Sequence, residues 1–97
     1  MKFVQLIEFK TGDIEAYNKA LDRWLAKTQG IRTSSRALQG RDRDNDRTYF
    51  SIVEFPSHEV AMENSSRPET AEFAAQLTEI CGGPPRFRNL DVTREDV

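Results

Sequence analysis

Lys2-Phe3-Val4-Gln5-Leu6-Ile7-Glu8-Phe9 is the stretch on which the fold turns. Successive side chains of a strand point to opposite faces, so Phe3, Ile7 and Phe9 share one side and Val4 and Leu6 the other. Tyr49–Phe55 repeats the pattern, with Tyr49, Val53 and Phe55 against Phe50 and Ile52. Each segment asks for burial on both faces. Two helices suffice to cover one face of a small sheet, which leaves the second face for another subunit. The sequence therefore predicts a homodimer with an internal cavity.

Working outward, the chain reads strand, helix, strand, strand, helix, strand. Lys2–Phe9 is the first strand. Asp13 is the predicted N-cap of a helix reaching about Thr28, with Ile14, Tyr17, Leu21, Trp24, Leu25 and Thr28 along one stripe and Gly30 as its stop. Thr33–Arg41 reads as a second strand, although Thr33, Ser34 and Ser35 carry little apolar mass. Arg41–Arg47 is a polar connection into a third strand, Thr48–Phe55. Pro56-Ser57 breaks that strand, and Ser57 caps a short helix through His58–Glu63. Ser66-Arg67-Pro68-Glu69 has the spacing of a capping box with proline in the first turn. The helix it predicts runs to Cys81, turning Phe73, Ala74, Leu77, Ile80 and Cys81 inward, and Gly82-Gly83-Pro84-Pro85 stops it. Arg86–Val92 is the fourth strand, with a frayed tail beyond.

This order, βαββαβ, is the ferredoxin-like arrangement: an α+β fold with a four-stranded antiparallel sheet and its helices on one face. Ninety-seven residues make one domain spanning 1–97. A hydrophobic content of 37% beside 31% charge fits a thin core under a heavily solvated surface. The net charge of −2, with the signs interspersed, offers no basic footprint for nucleic acid. No run of about 18 apolar residues is present to cross a membrane, and the N-terminus lacks the apolar core of a signal peptide. The lone Cys81 excludes an internal disulfide framework, and cytoplasmic residence is the expectation.

Few residues are equipped for chemistry. His58 is the only side chain that ordinarily titrates near neutrality, so it is a candidate base; its bland reading is an exposed residue in a helix's first turn. Asn64 falls between the two predicted helical segments, where its amide is either a ligand contact or a local cap. Trp24, Tyr17, Tyr49 and Phe73 either line a cleft for a planar aromatic ligand or simply fill the core. No metal site is expected: Asp42-x-Asp44-x-Asp46 imitates a calcium loop, yet Arg47 replaces its glycine and Val53 its bidentate glutamate. No phosphate-binding loop, nucleophile elbow or Cys/His couple is present, and no cofactor is expected.

Phe55-Pro56-Ser57-His58-Glu59-Val60-Ala61, followed by Asn64-Ser65-Ser66-Arg67-Pro68 and Phe73, resembles the dimeric α/β barrel proteins, in particular those similar to antibiotic-biosynthesis monooxygenases. In that group a strand ends in an aromatic, a serine and a Glu-x-Ala pair open a helix, and a polar residue and a kink follow. Many relatives carry histidine at the place of Asn64 and another near Glu69, whereas the only histidine here is His58. The resemblance implies a cofactor-independent monooxygenase or related enzyme acting on a bulky aromatic molecule between sheet and helices. Asn64 would be its hydrogen-bond donor and His58 a base. The alternative is a non-catalytic binding or dimerisation domain using the same cavity.

Overall fold

The computed structural model describes residues 1–96. Its elements follow the expected order, the short helix after Pro56-Ser57 included: β1 (Phe3–Lys10), α1 (Ile14–Lys27), β2 (Arg36–Arg41), β3 (Thr48–Phe55), α2 (His58–Ser65), α3 (Pro68–Cys81) and β4 (Arg86–Asp91). The four strands form one antiparallel sheet in the order β2-β3-β1-β4, which is the ferredoxin-like fold.

Registered pairs share a face, so the pairings sort the sheet into two sides. Phe3 lies opposite Phe55, Gln5 opposite Val53, Ile7 opposite Ser51 and Phe9 opposite Tyr49. This side meets the helices. Its two ends are closed separately, by Phe9, Tyr17, Ala20 and Leu77 at one and by Phe3, Phe55 and Ala61 at the other. The opposite side carries Val4, Leu6, Phe50 and Ile52, half-buried within one chain, with Leu38 and Leu90 more exposed at its margins.

The caps explain where the helices begin and end. Asp13 accepts from Ala16 N at 3.0 Å and opens α1, as expected. Ser57 accepts from Val60 N at 3.3 Å and opens α2. The capping box assigned to Ser66 is absent: Ser66 ends α2, and its hydroxyl donates back to Glu63 O at 2.9 Å. Arg67 is the cap residue of α3, without a side-chain bond, because extended backbone before Pro68 already sets the first turn. Gly82 ends α3 in the left-handed region at φ 70°, where a β-carbon would be strained.

Smaller departures concern the margins. β2 starts at Arg36, so the hydroxyl run Thr33-Ser34-Ser35 remains in the connection after α1. Ala74, assigned inward, is exposed on α3, whereas Ala20, outside the predicted stripe, is fully buried.

Candidate functional site

The stripe of α1 positions the aromatics. Tyr17 lies flat on Phe9, centroids 4.0 Å apart and rings 2° from parallel, and Phe9 stacks in turn on Tyr49 at 5.5 Å. The edge of Tyr17 meets Phe73 at 6.4 Å, and Phe73 stacks on Trp24 at 5.5 Å. All four aromatics singled out in the sequence thus belong to one run, Tyr49–Phe9–Tyr17–Phe73–Trp24. Tyr17 is buried within it, while Tyr49, Phe73 and Trp24 remain half-buried. Trp24 satisfies its indole by donating to Thr70 Oγ1 of α3 at 3.1 Å. Burial, and secondarily the neighbouring Cys81, pushes the Tyr17 phenol well above its ordinary value; burial also pushes the Cys81 thiol up.

Asn64 sits in the last turn of α2, not in a break between helices, and is buried. Its Oδ1 accepts from the backbone N of Thr33 at 3.4 Å, while Thr33 Oγ1 donates to Val60 O at 2.9 Å. The connection after α1 is thereby pinned to α2. Among the described residues Nδ2 of Asn64 donates to no partner.

His58 is exposed at the first position of α2, its ring edge-on to Phe3 at 5.1 Å. Six residues separate it from Asn64, about 9 Å along a helix axis and on a different side of it. The structure does not bring these two together.

Between the closed ends of the helix-facing side lies an open stretch. Gln5, Ile7, Ser51 and Val53 belong to the two central strands, yet all four are only half-buried. Gln5 is tied sideways, donating to Asn89 at 3.2 Å, and Gln39, registered opposite Ser51 on β2, donates to Asn18 of α1 at 3.0 Å. Gln5, Ile7, Ser51 and Val53 lie between the aromatic run at one end of the sheet and, at the other, the Phe3–Phe55–Ala61 cluster, whose Ala61 shares α2 with Asn64. Two further depressions lie elsewhere. One of about 250 Å³ runs along Phe9, Lys10, Cys81 and Pro84, and one of about 220 Å³ lies on the opposite side of the sheet along Leu6, Phe50 and Arg88.

Arg32 and Thr33 join Trp24 to Asn64, and sequence reasoning passed over Arg32. The Arg32 guanidinium carbon stands 5.6 Å from the centre of the Trp24 ring. Its Nη1 donates to Leu25 O at 3.0 Å and to Thr28 Oγ1 at 3.2 Å. No ion pair among the described residues includes it; the acidic partners lie elsewhere, Glu72 with Lys27 and Glu54 with Lys2 and Arg36. The signal that could have found this link was the polarity of 32–35, too hydroxyl-rich for a strand.

Among the described residues no three His, Cys, Asp or Glu side chains gather as a metal site. The Asp42–Arg47 connection uses its polar groups on itself, Asp42 accepting from Asp44 N at 2.8 Å and Asn45 from Arg47 N at 3.2 Å. No helix among the described residues is long and apolar enough to cross a membrane.

No family model matches the chain, and no curated protein matches it. Solved structures do. A candidate antibiotic biosynthesis monooxygenase from Caulobacter crescentus superposes with a TM-score of 0.81 at 12% identity, over 96% of this chain and 91% of that one. SnoaB, a cofactor-independent oxygenase from Streptomyces nogalater, superposes with a TM-score of 0.81 at 16% identity, over 97% and 95%. A protein from Jannaschia, described as dimeric and ferredoxin-like, gives 0.79 at 14% identity, over 95% and 100%. At these identities what the chain shares with them is the ferredoxin-like fold over nearly its whole length. The group that the sequence resembles is also the group that its structure resembles.

Proposed function

We propose that this protein is a homodimer that binds a planar aromatic molecule between its sheet and helices and oxygenates it without a cofactor. The observation that carries the reading is the cleft itself. The middle of the helix-facing sheet, which a purely structural domain would fill, is half-buried, with an aromatic run at one end and a buried asparagine at the other. SnoaB is similar in fold and is a cofactor-independent oxygenase, which supplies the reaction class.

In such chemistry the substrate is the reductant. A phenol loses its proton, and the electron-rich ring then transfers electrons to molecular oxygen. One oxygen atom becomes a new ring carbonyl; the other leaves as water with the two hydrogens the substrate gives up. Asn64 Nδ2 would donate to the phenolate oxygen, and Trp24, Tyr49 and Phe73 would hold the ring. The apolar ends of the cleft limit water there.

The exposed position of His58, edge-on to Phe3 at the opposite end of α2 from Asn64, favours a second reading, ligand binding without turnover. Oxygen uptake with a panel of fused-ring phenols separates the two. Consumption that exceeds the protein-free rate and falls at least tenfold in Asn64→Asp supports the oxygenase. Tight binding with no uptake supports the binding domain, and no binding of any panel member removes both. The lone Cys81 also supports placing the protein in the cytoplasm.

A further inference from the structure

We propose that Arg32 makes the cleft selective for aromatic molecules that carry a carboxylate or similar acidic group. The inference rests on the cleft reading above and adds the chemical class of its ligand.

Arg32 occupies a particular place in the chain of contacts. It lies against Trp24, the end of the aromatic run, and it is peptide-bonded to Thr33, whose N–H holds Asn64. The Arg32–Thr33 pair thus stands on the connection between Trp24 and Asn64.

The state of its donors supplies the second half of the argument. A guanidinium has five N–H donors and is always charged. Here Nη1 is committed twice, to Leu25 O and to Thr28 Oγ1. Those two bonds and the Trp24 ring fix the plane of the group. Nε and Nη2 donate to nothing among the described residues, and no carboxylate stands within ion-pair distance. With Nη1 used, what remains is the Nε–Nη2 edge, the side-on fork that takes both oxygens of a carboxylate in parallel bonds. The carbonyl end of α1 accounts for the anchoring of Arg32 but accepts only through Nη1.

The test compares 2-naphthoate with its uncharged isostere 2-naphthamide by calorimetry, with the emission of Trp24, the only tryptophan, as a second readout. The wild-type protein should bind the carboxylate ten- to a hundredfold more tightly, the range expected of charge-assisted bonds. Arg32→Gln should bring that ratio close to one while leaving the amide's affinity within a few-fold. Arg32→Lys, which keeps the charge but loses the fork, should give a ratio between the two. Equal wild-type affinities overturn the inference and leave the cleft reading standing. So does a preference for the carboxylate that survives Arg32→Gln. If neither compound binds or alters Trp24 emission, the cleft reading falls and this inference falls with it.

Discussion

Asn64 commits its Oδ1 to Thr33 while its Nδ2 donates to none of the described residues, and substitutions can separate the two. Asn64→Leu removes both, so the Thr33 N–H loses its acceptor and the fold should lose about 1 kcal/mol in denaturant titration. Asn64→Asp keeps an oxygen for Thr33 but sets a negative charge where a phenolate would lie. It should abolish turnover while leaving the connection after α1 in place, and an oxygenase that tolerated Asp there would use a different donor. Tyr17 and Cys81 govern behaviour in alkali. Both are acids whose pKa is raised in the fold, so the folded chain keeps protons that the unfolded chain releases. Their contribution is complete below the ordinary values, 9.0 for the thiol and 10.0 for the phenol, and is lost as pH climbs toward the folded values. Thermal stability should therefore decline from about pH 9 upward. Tyr17→Phe should flatten that decline above pH 10; a curve parallel to wild type would show that Tyr17 is not its source.

At the scale of elements, capping separates what could be read in the sequence from what could not. Asp13 and Ser57 both precede a helix whose third N–H each accepts, and either changed to alanine should cost about 1 kcal/mol in denaturant midpoint. Ser66→Ala should cost close to nothing, since its hydroxyl closes a turn behind it rather than opening one ahead. The Ser-x-x-Glu spacing was misleading there because Pro68 sets the turn by its fixed ring and needs no side-chain acceptor. The strand–helix order was legible because burial on two faces leaves short, nearly continuous apolar runs in the strands, whereas a helix buried on one side repeats its apolar residues every three or four. Tyr17 and Trp24 were legible as neighbours on one stripe of α1, whereas Phe9 on β1, Tyr49 on β3 and Phe73 on α3 join them only through the fold. The link from Trp24 through Arg32 and Thr33 to Asn64 was not. It depends on how a connection folds back on α2, and no periodicity records that.

For the molecule as a whole, the open side of the sheet sets the expected assembly. Val4, Leu6, Phe50 and Ile52 remain half-buried on a face that no helix covers. Light scattering at micromolar concentration should report about 22 kDa, twice the 11.1 kDa of one chain. Leu6→Asp and Ile52→Asp should each shift the population toward monomer, because an unpaired carboxylate would be buried in the contact. A dimer unmoved by both would use another surface.

The edges of the sheet decide how far such an association can go. β2 and β4 are exposed at every residue, and both are short. β2 opens and closes with Arg36 and Arg41, and β4 carries Arg86, Arg88 and Asp91. A second copy of β2 adding antiparallel to the β2 margin would set Arg36 against Arg41, a like-charge clash of the kind by which natural sheets avoid templating one another. Growth sideways is therefore opposed at the β2 margin, whereas stacking through the broad face consumes that face in both partners. The geometry permits a closed pair and, at the β2 margin, opposes a filament.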